Sequence, residues 1–153
     1  MLLGTDRTPH HFFVQGPGEM LAIDTDAIFT AVDQSPSLRR VLLRYAQVQF
    51  VQAVQTAFVN ATYRSEVRLA RWILMCHDRV DGDELVMTHE FVSLMLGVQR
   101  SSATLAVQAL EGYGLIRARR GRMTIRDRNA LEEVADAGYG LPEAEYARLI
   151  EGA

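Results

Sequence analysis

The sequence has no lysine, a single cysteine, a single tryptophan and no long uninterrupted apolar run. All sixteen basic residues are arginine, a bias that speaks of lineage and carries no functional weight. The lone Cys76 excludes an internal disulfide framework and suits a reducing compartment. The most apolar stretch, Val41 to Val59, is broken by Arg44, Gln47, Gln49, Gln52 and Gln55, which excludes a membrane span there. Met1 to Gly18 lack a basic start followed by an apolar run, so no signal peptide is expected and the expected location is the cytoplasm.

The usual marks of site chemistry are missing as well. His10-His11, Cys76-His77 and His89 do not form a spaced metal set. Cys76 and His77 are neighbours on a helix and point in different directions, so Cys76 reads as a core residue. Asp78, Asp81, Asp83 and Glu84 lack the spacing and terminal glutamate of a calcium loop and read as a solvated turn. Gly112 and Gly114 form no phosphate loop; they end a helix. No catalytic residue, metal or cofactor is expected, and the chain is not expected to be an enzyme.

What is present is enough apolar content for a packed core: 48% of 153 residues are hydrophobic, which argues against disorder. Charge is unevenly spread. The whole chain carries net charge -3, yet residues 97–128 hold seven arginines against Glu111 and Asp127. Residues 129–153 hold six acids against Arg148. A basic island within an acidic chain is a better guide to partners than the overall charge.

His11–Gln15 and Glu19–Ile23 read as two short strands around the turn signal Gly16-Pro17-Gly18. Asp24 or Thr25 then caps a short helix carrying Ile28, Phe29 and Val32 on one face. Ser35 before Pro36 is a strong helix start, a cap followed by proline in the first turn. From Pro36 to about Ala61 apolar and glutamine residues recur at threes and fours: Leu38, Val41, Leu42, Tyr45, Val48, Val51, Gln52, Gln55, Phe58 and Val59. Such a helix spans about 39 Å at 1.5 Å per residue. It is too long for the small N-terminal region to cover, so these residues are expected to pair with a second copy. A core helix within one subunit is the alternative. Ser65 is expected to cap a further helix, Glu66 to Asp78, and "ELVMT" (Glu84–Thr88) reads as a short strand.

Thr88 then caps a helix of about nine residues, with Glu90 in its first turn and Gly97 at its end. Val92, Leu96 and Val98 precede and follow the turn on the apolar side, and Ala103, Ala106, Val107 and Leu110 continue it on the next helix. Small residues at the crossing and glycine in the turn are the spacing of a helix-turn-helix. The second helix offers Gln99, Arg100, Ser101, Ser102, Thr104 and Gln108 on its outer side. An arginine there can bind guanine O6 and N7 as a bidentate fork. A helical hairpin with a solvated face remains the bland alternative. "LIRAR" and "RMTIR" alternate on either side of Arg120-Gly121 and predict a β-hairpin, a wing. Ile116, Ala118, Met123 and Ile125 point inward; Arg117, Arg119, Arg120 and Arg122 lie on the outside or at the tip. These arginines suit DNA phosphates; if four neutralise phosphates, the log–log salt slope is about -3.6 per subunit at roughly 0.9 each. A solvated hairpin with Arg119 or Arg122 paired to the acidic tail is the alternative.

The run from Ser65 to about Glu133, with "RLARWIL", "LVMTHEFVSLMLGVQR" and "LEGYGLIRARRGRMTIRD" as its carriers, resembles the C-terminal domain of the Crp/Fnr family of bacterial transcription regulators. By this resemblance the long helix is the family's dimerisation helix, and the preceding strands are the end of its cyclic-nucleotide-type β-roll. Thr88 and His89 fall where the family touches phosphates, and Arg100 on the base-reading arginine that opens the recognition helix. Ser101 stands where many members have a glutamate, and Leu105 where many have a second arginine, so the cyclic-AMP receptor's operator does not transfer. Leu105 can touch a thymine methyl or pack. The phosphate-binding cassette of the sensor is not visible, so no cyclic nucleotide is assigned and the sensor half is expected to be incomplete. Cys76 alone cannot hold the four-cysteine iron–sulfur cluster of some members.

The expected fold is α+β and mainly helical: a partial β-roll hairpin, a long dimerisation helix and a C-terminal winged helix-turn-helix. The expected organisation is 1–35 for the end of the sensor domain, 36–62 for the dimerisation helix, and 63–153 for the DNA-binding domain and tail. The expected partners are duplex DNA and a second copy, with RNA polymerase a further candidate; no membrane partner is expected. The function class expected is a sequence-specific regulator on a two-fold-symmetric operator. A dimeric protein-interaction module is the alternative.

Overall fold

The computed structural model describes residues 7–16 and 18–152. They divide into two compact units, one of residues up to 51 together with those from 145 onward, the other of residues 52–144. No helix among the described residues is long and apolar enough to cross a membrane.

The first unit holds α1 (Thr25–Gln34) and the first half of α2 (Pro36–Thr62). Asp24 caps α1 by accepting from the Asp26 N–H at 2.9 Å. The Ser35 hydroxyl accepts from the Leu38 N–H at 3.3 Å, and Pro36 opens α2, as the sequence predicts. The expected N-terminal hairpin is not formed. Residues 11–15 and 19–23 make no ladder, and Phe12, Val14, Met20, Leu21 and Ile23 are exposed. A lone two-stranded hairpin is marginal in water, and no third strand among the described residues pairs with these. Pro17 lies outside the described residues. Arg44 donates to the Leu149 carbonyl of the tail at 3.2 Å.

α2 is apolar on more than one face. Val48 and Val59, two residues of the expected seam, are 2% and 1% exposed and already buried against their own chain. In the second unit Gln55 donates to the Ala137 carbonyl at 2.8 Å, and Gln52 accepts from Arg79 at 3.2 Å. Val41, Tyr45 and Phe58 of the expected set are exposed; Leu38, Leu42 and Val51 are intermediate. Leu43, Phe50 and Val54, which the expected set left out, are exposed as well.

The second unit holds α3 (Ser65–His77), β1 (Glu84–Val86), α4 (His89–Leu96), α5 (Arg100–Gly112), β2 (Ile116–Arg119), β3 (Arg122–Ile125) and α6 (Arg128–Ala135). Ser65 is the first helical residue of α3 rather than its cap; Arg64 holds the cap position with no side-chain bond. Leu69, Ala70, Ile73 and Leu74 of α3 meet Val92 and Leu96 of α4, and Ala103, Ala106, Val107 and Leu110 of α5, in one core. Every one of these is at most 3% exposed. The strands form one antiparallel sheet in the order β1-β3-β2, with Leu85 opposite Met123 and Ile116 opposite Ile125. Their inward side chains close the core, as the alternation in the sequence predicts.

α6 and the following turn lock the far side. Asp127 caps α6 through the Ala130 N–H at 3.0 Å. Arg128 reaches Asp78 and the Tyr139 hydroxyl, each at 2.8 Å, and that hydroxyl donates to Asp78 at 2.8 Å. Arg71 is 4% exposed and donates to the Gly138 carbonyl at 2.8 Å. Burial holds its guanidinium below the ordinary arginine range. Tyr139 is half-buried and Pro142 buried, so the tail segment up to residue 144 is part of this unit.

Candidate nucleic-acid interface

Two helices and a hairpin present the candidate surface. Thr88 caps α4, its hydroxyl accepting from the Phe91 N–H at 3.1 Å. The O–H of that hydroxyl is still a donor for an anion. Gly97 ends α4 with φ 61° and ψ 38°, a left-handed geometry that glycine adopts at no steric cost. The Val98 N–H reaches the Ser93 carbonyl at 3.1 Å and the Gly97 N–H the Leu94 carbonyl at 3.2 Å. This paired closure is a Schellman turn, and it aims the chain directly into α5. Arg68 of α3 donates to the Leu96 carbonyl and fixes the same turn from behind.

α5 begins at Arg100. Gln99 holds its cap position without a side-chain cap, which leaves the N–H groups of the first turn open toward solvent. Ala103 and Ala106, at 0% and 1% exposure, permit the close crossing with the neighbouring helices. On the other side Gln99, Arg100, Ser101, Leu105 and Gln108 are exposed, while Ser102 and Thr104 are intermediate. Thr104 meets His89: its hydroxyl lies 3.1 Å from His89 Nδ1, a bond that sets the two helices in register. Leu105 is 64% exposed, so packing within the chain does not account for it.

The wing is as predicted. Arg119 pairs with Arg122 at the end of β2 and β3, and Arg120 and Gly121 make the turn with φ 49° and 77°. Two positive φ values are those of a type I′ turn, whose twist matches the strands. Arg117, Arg119 and Arg120 are exposed and make no side-chain hydrogen bond or ion pair among the described residues; Arg100 is likewise unpaired. Arg122 differs. It pairs with Glu84 of β1, not with the acidic tail. The turn also lies against the start of α4: Met87 donates to the Gly121 carbonyl at 2.7 Å, and a Cβ at Gly121 would meet the Thr88 methyl at 3.4 Å.

Two supports were not foreseen from sequence. Glu111, on α5, accepts from the Ala118 N–H at 2.7 Å and holds the base of the wing. Glu84 both joins the sheet and neutralises Arg122. A carboxylate on an alternating strand gives no sign of its cross-strand partner. Cys76 is not part of this surface; burial pushes its thiol up to about 11, so it stays protonated and inert at neutral pH.

Residues 67–134 match the Crp-like helix-turn-helix domain, and this span runs from α3 through the wing into α6. Two solved structures are similar to the chain. The Thermus thermophilus catabolite activator protein matches at 19% identity and TM-score 0.44, over 72% of this chain and 52% of that one. A second Thermus thermophilus protein, a transcriptional regulator of the CRP family, matches at 25% identity and TM-score 0.48, over 74% of this chain and 56% of that one. The chain thus spans about half the length of these solved relatives. No curated protein sequence matches it. Within the matched span, Arg100 opens α5, the second helix of the motif.

Proposed function

We propose that the chain is a cytoplasmic transcription regulator that binds a two-fold-symmetric duplex site as a dimer and needs no bound cofactor to do so. The observation that carries this reading is a group of arginines that no acid pairs among the described residues. Arg100 stands at the head of an exposed helix face, and Arg117, Arg119 and Arg120 stand on the adjoining wing. A helix of this kind enters the major groove, with base edges at its N-terminal end and phosphates at its flanks. Thr88, His89, Gln99, Ser101, Ser102, Thr104 and Gln108 belong to the same proposed footprint. RNA polymerase is the partner that such a regulator would meet next.

The dimer is proposed to form along α2, through Leu43, Gln47, Phe50, Val54, Ala57 and Ala61. These alternate at intervals of four and three, the heptad spacing of a paired helix, and all six are exposed. The expected stripe through Val48, Gln52, Gln55 and Val59 has the same spacing, but its members already have partners in their own chain. The half-sites of such a symmetric duplex would lie about 34 Å apart, one helical turn.

Selection of bound sequences from a random duplex pool, using the purified chain with nothing added, tests the proposal. Recovery of an inverted-repeat motif is expected. Failure to bind any duplex at low salt would favour the protein-interaction module instead. Glu84→Gln adds a second handle. It frees Arg122 for phosphate, so the log–log salt slope should steepen by about 0.9 per subunit in an anisotropy titration. An unchanged slope would place Arg122 away from the DNA backbone.

A further inference from the structure

The arginines at the start of α2 lie outside the proposed DNA footprint. We infer that two copies of the chain, paired in parallel along α2, form a site for a small multivalent oxyanion of the pyrophosphate class between Arg39, Arg40 and Arg44 of each copy. This rests on the dimer proposed above.

α2 contains no acidic residue, and its three arginines all lie within its first nine positions. That is the unfavourable end of a helix for positive charge, because the N-terminal N–H groups already make it electropositive. Arg40 and Arg44 also repel, being four residues apart on one face. Among the described residues no acidic side chain pairs with these arginines. Arg39 and Arg40 make no side-chain hydrogen bond or ion pair among the described residues, and Arg44 reaches only the Leu149 carbonyl.

The heptad spacing makes the conflict sharper. Extending the series Leu43, Gln47, Phe50 backward by three residues puts Arg40 at a central position of the seam. Arg39 and Arg44 then fall on its two flanks. Parallel pairing is required if both helix-turn-helix domains, each following the C-terminal end of its α2, are to meet one duplex. In a parallel pair, a residue on one flank faces the residue five later on the other helix. Arg39 of one copy therefore faces Arg44 of the other, in both directions, and the two copies of Arg40 meet at the axis. Six guanidinium groups converge with no carboxylate among them.

Each copy already shows half of the receptacle. Arg39, Arg40 and Arg44, with Leu43, Gln47 and Leu149, line an open groove of about 390 Å³, and among the described residues no acidic side chain lines it. Guanidinium forks match phosphate oxygens in a bidentate manner, better than they match a halide. Three cations from each side, related by a two-fold axis, call for a ligand with negative charge at both ends. Without such an ion the N-terminal ends of the helices repel; with it they close.

The test is sedimentation velocity of the full chain, with sodium pyrophosphate or with sodium chloride at equal ionic strength, so that screening is matched. The dimer dissociation constant should fall about tenfold or more with pyrophosphate. The triple variant Arg39→Gln, Arg40→Gln, Arg44→Gln should dimerise without pyrophosphate as tightly as the wild type does with it, and show no response. Arg40→Gln alone should remove most of the response, which guards against a misfolded triple variant. A wild-type dimer of equal affinity in both buffers overturns the anion site and leaves the dimer standing. A pyrophosphate response that survives in the triple variant overturns it too. A monomer in both buffers at high protein concentration overturns the dimer itself, and the anion site with it.

Discussion

Leu110→Ala should lower the unfolding free energy by about 2–5 kcal/mol, read from urea denaturation followed by circular dichroism. Leu110 is fully buried, in the core that α5 shares with α3, α4 and the sheet. Its removal leaves a cavity that the crossing helices cannot collapse into, because Ala103 and Ala106 already bring them together. The same residue helps to close the end of α5: its carbonyl accepts from the Leu115 N–H at 3.0 Å, just before β2. The loss therefore falls on the joint between helix and wing, and DNA affinity should fall with stability. A cost below about 1 kcal/mol would mean that this core is looser than its burial implies.

Arg100→Ala should weaken binding to the selected site by about 1–3 kcal/mol, roughly 5- to 150-fold, and relax the choice of base at one position in each half-site. Under the proposed function Arg100, exposed at the head of α5, reads guanine there as a bidentate fork. The wing behaves differently. Arg119→Ala or Arg120→Ala should weaken binding to selected and unrelated duplexes by a similar factor, since a phosphate contact carries no base information. Competition titrations with the two duplexes separate these outcomes. Selectivity that survives Arg100→Ala would move base reading to Gln99, Ser101 or Leu105.

Much of the second unit, and the start of α2, was legible in the sequence because the signals are local. Ser35-Pro36, Thr88, Gly97 and Arg120-Gly121 each state a backbone geometry by residue type, and each does what its type predicts. The strands of the wing announce themselves by alternation. What failed to read out depends on distant partners. Residues 11–23 alternate well enough for a hairpin, yet nothing in that stretch tells whether a third strand will cover it. α2 carries two stripes of the same period. Periodicity cannot say which stripe its own chain will cover; burial of Val48 and Val59 does. Glu84 looked like part of a solvated turn, and only the register of β1 on β3 brings it to Arg122.

The seat of the wing turn on the start of α4 has a consequence for the DNA as well as for the protein. Met87 holds Gly121, the Thr88 methyl lies beneath the same turn, Glu111 holds the base of the wing, and Thr104 ties α5 to His89. Helix and wing are thus tied to one another as a single stamp. If that stamp meets DNA as proposed, the adjustment falls to the duplex. Pyrimidine–purine steps that kink at low cost, or tracts whose minor groove is already narrow, would then gain affinity at base pairs no side chain touches.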